Sequence, residues 1–518
     1  LKDRKVQGNT RPGDGKNGEV LRALTRRLGT DTMRYLPSAL LPALFSIAGI
    51  SIFTRILDQA QYGRYAVVMA GVALVSGILS GWIQQSVLRY LPRFDSEGRL
   101  REFKFKTLVI LQWVTLCLLV PGLVFSLFFG GMLGSYAYLF LPALLLVIVQ
   151  ILFLSLNSMY QARMRSRLAS FYKILLAAFR FGFALVIVLA IKRDVVGLIA
   201  GAAAANLLLV IPSMAGLGVF LNIRMLVRSI DRSFLKMLIS YGLPMIGWML
   251  CGQVLGISDR FLLQAFRGSA EVGIYSANYN LVTFGFGLIS MPILTACYPI
   301  IMNAWEKGEQ DKMPRVITEF SRYYMLAVVP VVVFMMIFSR EIAAVVLGED
   351  FREGYKIIPL VLGGSAVWGL AMIGHKGMEI AERTRTLFYL AGVSTLANIV
   401  LNLVFIPKCG YMGAAATTFA SYLIYPFLVF FAARTRMKWV IPWASFSKLA
   451  AAAVLSGTAA YLFRVNVASD LDALTIVILG ALLWGVLFLF WLLALRETSA
   501  AELKMIFMGI FNRPGNGE

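Results

Sequence analysis

Fourteen mostly apolar runs divide the chain, each close to the twenty or so residues that a helix needs to cross a hydrocarbon core. Their approximate edges are 35–57, 65–88, 107–129, 136–158, 173–191, 195–219, 237–258, 273–301, 323–338, 357–381, 387–406, 411–432, 449–463 and 473–495. Lipid offers a backbone no hydrogen-bond partners, so each run is expected to be helical. The pattern predicts an all-α polytopic membrane protein with 14 transmembrane helices. The eighth run is long enough to tilt, or to kink at Pro292 or Pro299, and the thirteenth is the weakest by length. Residues 1–18 are polar and rich in glycine and charge, with Lys2, Arg4, Lys5, Arg11 and Lys16, and are expected to be disordered. Residues 19–30 place Leu21, Leu24 and Leu28 on one stripe of a short surface helix. The chain opens on Leu1, consistent with a trimmed or incomplete start, and its first apolar run is too long for a signal peptide and lacks a small-residue cleavage site.

Composition agrees. Of 518 residues 59% are hydrophobic and 15% charged, and mean hydropathy is +0.76. A soluble chain carries about 25% charged residues. A cytosolic enzyme, a disordered chain and a secreted disulfide scaffold are therefore excluded, and a count of about three soluble domains from length alone does not apply.

The charge is +22, from 49 Lys+Arg against 27 Asp+Glu. In a soluble protein such an excess points to nucleic acid. Here the basic residues cluster between apolar runs, as in loops that face anionic lipid, so membrane lipids and not nucleic acid are the expected partners. With the N-terminus cytoplasmic, the inside segments carry 36 Lys+Arg, Lys173 at the edge of the fifth run counted among them, and the outside loops 10; Arg55, Arg180 and Lys376 fall inside runs. That asymmetry predicts both termini in the cytoplasm.

Cys117, Cys251, Cys297 and Cys409 show no metal-ligand spacing and read as free structural thiols. One histidine, His375, leaves no His-cluster metal site and weakens any His-based triad. No GxxxxGK[ST] loop occurs, so the chain is not an ATPase.

The chain repeats. Leu36-Pro37 opens the first run and Leu243-Pro244 the seventh. Arg55 precedes Tyr62-Gly63-x-Tyr65 as Arg260 precedes Val272-Gly273-x-Tyr275, and Val196-Gly197 opens the sixth run as Met412-Gly413 opens the twelfth. These pairs lie 205–216 residues apart. Runs 1–6 and 7–12 thus read as two parallel copies of a six-helix unit, an arrangement of alternating-access transporters with the substrate between the halves. The expected division is a basic tail at 1–34, an N-lobe at 35–232, a C-lobe at 233–433, two extra helices at 434–495 and a cytoplasmic tail at 496–518.

Three stretches carry a family resemblance: Thr54-Arg55-Ile-Leu with Tyr62-Gly63-x-Tyr65, Asp259-Arg260-Phe-Leu-Leu with Val272-Gly273-Ile-Tyr275-Ser, and Asn402-Leu-Val-Phe-Ile-Pro407-x-x-Gly410-x-x-Gly413-Ala-Ala-Ala. Together they resemble the polysaccharide-transporter branch, with its O-antigen (Wzx-type) flippases, of the multidrug/oligosaccharidyl-lipid/polysaccharide (MOP) exporter superfamily. The resemblance covers runs 1–12. It implies a V-shaped, MATE-like pair of lobes in a bacterial inner membrane. It also implies a polyprenyl-pyrophosphate-linked oligosaccharide moved from the cytoplasmic to the outer leaflet, no cofactor and no enzymatic step. A polysaccharide polymerase and a chain-length regulator are the protein partners it implies.

An anionic pyrophosphate in a low-dielectric path calls for fixed positive charge, and ionisable residues inside a membrane cost about 2.5–3.5 kcal/mol on insertion scales. Arg180, inside the fifth run between Phe179 and Phe181, is the first candidate; its alternative is to snorkel to the headgroups. Arg55 and Arg260 occupy equivalent places in the repeat and are expected to flank the outer mouth, with interfacial anchoring as the alternative. Ser76, Gly77, Ser80, Gly81, Gln84, Gln85 and Arg89 form one polar stripe on the second run. Ser276, Tyr279, Asn280, Thr283, Gly287 and Ser290 form another on the eighth. Both suit a hydrated cavity that meets sugar hydroxyls, and the small residues suit close helix packing equally, as do Gly197/Gly201 and Gly252/Gly256. Lys376 and Glu379 lie at i,i+3 beside His375 and read as a local ion pair.

The resemblance also implies an ion site. Lipid II flippases of the same superfamily bind Na⁺ among helices 7, 11 and 12 through an Asp, Asn, Asp, Thr pattern. Here Asp259, Asn398, Asn402 and Thr418 stand at those places, with Asn402 for the second Asp and so with less negative charge. Coupling to Na⁺ or H⁺ is the corresponding expectation. A cation-exporting multidrug (MATE-type) transporter is disfavoured because runs 1–6 hold no Asp or Glu. A membrane glycosyltransferase or O-antigen ligase is disfavoured because the longest outer loop, 339–356, with Glu341, Glu349, Asp350 and Glu353, has no room for an acceptor-binding domain.

Overall fold

The structure, a computed structural model, describes residues 40–191, 193–219, 231–306, 313–435, 439–466 and 471–498. The N-terminal tail with the surface helix at 19–30, the Leu36-Pro37 pair and most of the C-terminal tail lie outside the described residues. No strand occurs among the described residues.

Helices overlie the fourteen apolar runs. They are α1 (Leu40–Ile56), α2 (Gln59–Ser96), α3 (Leu100–Phe129), α4 (Ala137–Ala162), α5 (Ser166–Ala190), α6 (Val195–Leu217), α7 (Arg232–Arg267) and α8 (Ser269–Glu306). They continue with α9 (Met313–Ile337), the short α10 (Ser339–Val346), α11 (Ile358–Gly374), the one-turn α12 (Lys376–Ile380), α13 (Thr384–Ala432), α14 (Trp443–Asn466) and α15 (Ala473–Ala494). By length and apolarity the described residues hold eleven candidate spans, because α3 with α4 runs as one stretch of 63 residues, α13 as one of 49, and Leu40–Ile56 is short.

Both long stretches turn at a glycine. Gly134 (φ 52°) and Gly410 (φ 55°) sit in the left-handed region that a side chain disfavours. At Gly410 the chain doubles back: Thr417 donates to Asn402 Oδ1, fifteen residues earlier, a pair about 22 Å apart on a straight helix at 1.5 Å per residue. Glu271 caps the break, its carboxylate accepting from Tyr411 N at 3.0 Å. Aspartates start α2, α6, α7 and α15, as polar caps satisfy the free first-turn N–H groups. Asp58 forms a reciprocal capping box with Gln61 on α2. Asp231 accepts from Ser233 N and Phe234 N on α7, and the Lys106 ammonium bonded to it at 2.7 Å holds its carboxyl below the ordinary carboxylate range.

Three apolar clusters form the interior. One joins α2–α6 with the start of α7 through Phe94, Phe103 and Phe234. A second gathers α8–α13 and also takes Ile50 and Phe53 from α1, Leu57 just after it and Tyr62 from α2. The third packs α14 and α15 on α9, fastened by Arg464 to Glu341 and by Arg322 to Glu497, both at 2.8 Å.

Candidate functional site

A cavity of about 510 Å³ lies among α1, α2, α5, α6, α7 and α8, within the size class of small-molecule sites. Its lining brings Arg180, Lys173 and Arg260 together among Phe45, Tyr62, Tyr65 and Phe284. No carboxylate stands among the described lining residues.

Arg260 is 8% exposed and is held by three groups. Its Nε donates to Ser276 Oγ at 3.2 Å, Nη1 to Gly256 O at 3.2 Å and Nη2 to Asn280 Oδ1 at 3.0 Å, while its guanidinium lies 5.1 Å from the Tyr279 ring centre. Thr283 bonds back to Tyr279 O, and the Tyr279 hydroxyl meets Tyr422 at 3.1 Å. The polar stripe on α8 thus fixes one cation. Arg180 is more loosely held: Nη2 donates to Gln150 Oε1 at 3.0 Å, while its buried Nε has no hydrogen-bond partner. That leaves donors for an anion.

Arg55 is placed differently from the expectation that it pairs with Arg260 at a cavity mouth. It is absent from the lining and donates to Val345 O at 2.8 Å and Val346 O at 3.0 Å, the last two carbonyls of α10. Thr54 Oγ1 beside it accepts from Gly348 N at 2.9 Å. These contacts tie the end of α1, beyond the lining residue Phe53, to the chain around α10. Gly63 and Gly273, the equivalent glycines of the repeat, bring α2 and α8 together beside them: a Cβ on Gly63 would overlap Ser269 O, and one on Gly273 would overlap Gln59 O.

The polar stripe on α2 does not line the cavity either. Ser80 bonds to Ser76 O, Gln84 donates to Ser80 Oγ at 2.9 Å and Gln85 reaches Met249 Sδ. Arg89 lies over the Tyr241 ring of α7, and Ser86 donates to Leu238 O at 2.7 Å. Its glycines admit α7: Gly81 packs on Ile246 and Gly77 on the Gln253 side chain, while Gly242 of α7 lies against the Trp82 backbone. The stripe is a helix-packing face. Through Ser76 it also reaches the site, since Gln150 donates to Ser76 Oγ at 2.9 Å while accepting from Arg180.

Asp259, Asn398, Asn402 and Thr418 do come together, all buried. Asp259 accepts from Tyr275 at 2.5 Å, Asn402 Nδ2 at 2.7 Å and Thr418 Oγ1 at 2.6 Å. Ser258 and Asn402 both donate to Asn398 Oδ1, whose Nδ2 is unpartnered. Successive helix residues point about 100° apart, and Arg260 accordingly turns to α8 rather than to Asp259. The set offers a carboxylate, two amide oxygens and a hydroxyl, the hard oxygen donors a small cation takes. Donors now occupy the carboxylate, so a cation requires the Asn402 amide and the Thr418 hydroxyl to turn their oxygens inward.

Sequence reasoning missed Gln150, Lys173, Tyr62 and Tyr65 as site residues. Glutamine inside an apolar helix was the available signal for Gln150. Lys173 had the weaker one of a charge at a run's edge.

Residues 28–305 match the family described as "Polysaccharide biosynthesis protein", and residues 244–404 match the family described as MatE. A curated relative, the "Probable low-salt glycan biosynthesis flippase Agl15" of Haloferax volcanii, is 22% identical over 166 residues, which are 32% of this chain and 35% of that protein. Among solved structures, "Lipid II flippase MurJ, inward closed conformation" superposes with a TM-score of 0.71 at 14% identity, covering 89% of this chain and 98% of that one. An inward-facing multidrug resistance MATE transporter of the MOP superfamily gives 0.58 at 14% identity, over 80% of this chain and 98% of that one. The family match spans more than half of the sequence, so the chain belongs to the polysaccharide biosynthesis protein family, as a multi-pass membrane protein with the fold of the MOP superfamily.

Proposed function

We propose that the chain is a flippase that carries a polyprenyl-pyrophosphate-linked oligosaccharide, such as an O-antigen or exopolysaccharide repeat unit, from the cytoplasmic to the outer leaflet by alternating access. The observation that carries this reading is the cavity with Arg180, Lys173 and Arg260 in its lining and no carboxylate among its described residues. Its charge fits a pyrophosphate and opposes the cations that a multidrug exporter moves. Tyr65 and Phe284 in the lining supply aromatic surface on which sugars can pack. Residues 35–232 and 233–433 serve as the moving lobes in this reading, and the Arg55 and Gly63–Gly273 contacts between them support it.

In this reading the chain crosses the cytoplasmic membrane fourteen times with both termini inside. The test uses a background in which all four cysteines, none in a disulfide, are replaced. Glu349→Cys is expected to react with an impermeant maleimide added to intact cells, and Ser96→Cys to be protected. The reverse pattern excludes this orientation.

The Asp259 cluster is the candidate coupling site. A cation bound there ties α7 to both halves of α13. A ligand present at 100 times its Kd stabilises by about 2.7 kcal/mol. Na⁺ or a proton is therefore expected to raise the melting temperature of the purified protein, against choline at equal ionic strength, and Asp259→Asn to remove the rise. A rise of the same size in Asp259→Asn excludes the cluster as the site.

A further inference from the structure

The single histidine sits in a polar junction that the transport reading does not use. His375 lies between α11 and α12, is 1% exposed, and joins three other elements of the C-terminal half. Its Nδ1 is 2.9 Å from the Tyr425 hydroxyl on α13, which accepts from Trp248 Nε1 on α7 at 3.2 Å. The Trp248 ring stands edge-on to the imidazole at 5.4 Å. The other nitrogen, Nε2, is buried without a hydrogen-bond partner, 3.6 Å from the Glu379 carboxylate. Glu379 is engaged by Lys376 Nζ at 2.6 Å, and that ammonium lies over the Tyr298 ring of α8 at 5.1 Å.

A buried nitrogen with no partner, facing a carboxylate just beyond hydrogen-bond distance, is costly in the neutral ring. It is a prepared place for a proton. An imidazolium donates from both nitrogens, Nδ1–H to the Tyr425 oxygen and Nε2–H to Glu379. We propose that His375 is a proton-binding site, separate from Asp259, in which the bound proton is held by Glu379 and transfers that carboxylate from Lys376 to the imidazole. The groups that bear on the ring are Glu379 and Lys376 on α12 and Tyr425 on α13. Cys297 and Tyr298 on α8 complete the surround through Lys376 and Glu379.

Position gives the site a consequence. Trp248 and Asp259 lie eleven residues apart on α7, about 16 Å at 1.5 Å per residue. The helix is pinned to α13 by a buried polar junction at each point. Proton uptake at Nε2 of His375 changes the partners at one of them: the imidazolium takes up the Glu379 carboxylate while Nδ1 stays on Tyr425, and Lys376 is released toward Tyr298. The inference stands whether or not the chain carries a glycan lipid.

One histidine makes the test direct, since uniformly ¹³C/¹⁵N-labelled histidine gives one imidazole to observe. The full chain, purified through a histidine-free tag and placed in nanodiscs, is titrated from about pH 5 to about 8.5, the range in which imidazole changes charge. The ring nitrogens are expected to pass from a neutral to an imidazolium signature. Glu379→Gln is expected to lower the midpoint by about one pH unit or more, and Lys376→Gln to raise it, since an opposite charge favours the ionised form and a like charge opposes it. Ring shifts that stay constant over the range overturn the proposal, as does a midpoint that neither substitution moves. Should Glu379→Gln fail to give monodisperse protein, the sign of the Lys376→Gln shift decides.

Discussion

Loss of both cavity arginines is expected to abolish export: cells carrying Arg180→Gln with Arg260→Gln, at normal protein level, lose their surface polysaccharide. A hydrogen bond to a charged group is worth about 1.5–3 kcal/mol, so each arginine accounts for about 10- to 100-fold in affinity for a diphosphate. The two positions differ in what replaces them. Arg180 makes one described bond, to Gln150, and its work is charge; Arg180→Lys is therefore expected to keep most function and Arg180→Gln little. Arg260 spreads three nitrogens over Ser276, Gly256 and Asn280 and covers the Tyr279 ring. An ammonium cannot make that fork, so Arg260→Lys is expected to lose more than Arg180→Lys. Normal surface polysaccharide in Arg180→Ala would remove Arg180 from the path.

Alanine at Gly273 is expected to hold the cavity open at the Arg55 end. The added Cβ falls on the carbonyl of Gln59, and the equivalent change at Gly63 falls on that of Ser269. Backbone cannot move aside as a side chain can, and overpacking of this kind costs about 1–3 kcal/mol or more. The cost falls only on the state in which α2 and α8 touch. A closed form favoured by that much passes to an open one by about 5- to 150-fold in population. Spin labels at Arg193→Cys and Glu353→Cys, one beside α6 and one in the segment before α11, read the change in the cysteine-replaced background. Gly273→Ala is expected to shift the distance distribution outward, and Gly71→Ala, whose Cβ meets nothing within 4 Å, to leave it in place. Identical distributions in the two variants would show that the paired glycines do not set closure.

The apolar runs and the family were legible because a hydrocarbon core imposes one length on every crossing helix and because the motifs recur in order. The Gly63 and Gly273 motifs were legible as repeats, though not as surfaces that meet: a repeat gives equivalence, and only the packed halves give contact. The Asp259 cluster was legible through Asn398 and Asn402, which share a helix face at i,i+4, together with the resemblance. Arg55 was misplaced because its partners, the carbonyls of Val345 and Val346, are some 290 residues away. The α2 stripe served packing because serine and glycine at helical spacing fit a neighbouring helix as well as a cavity. Tyr62 and Tyr65 were legible as part of a repeated motif and not as cavity lining, and Phe284 carried no signal, since a ring that faces a cavity and one that faces lipid read alike in a membrane sequence.

The most direct test is translocation by the purified chain. Proteoliposomes carry a fluorescent short-chain polyprenyl-pyrophosphate-linked oligosaccharide in both leaflets, and an impermeant reagent quenches the outer pool. Flipping by the intact chain is expected to expose the protected pool, while Arg180→Gln with Arg260→Gln falls to the rate of protein-free vesicles. Equal exposure with the intact chain, the double variant and empty vesicles would contradict the account.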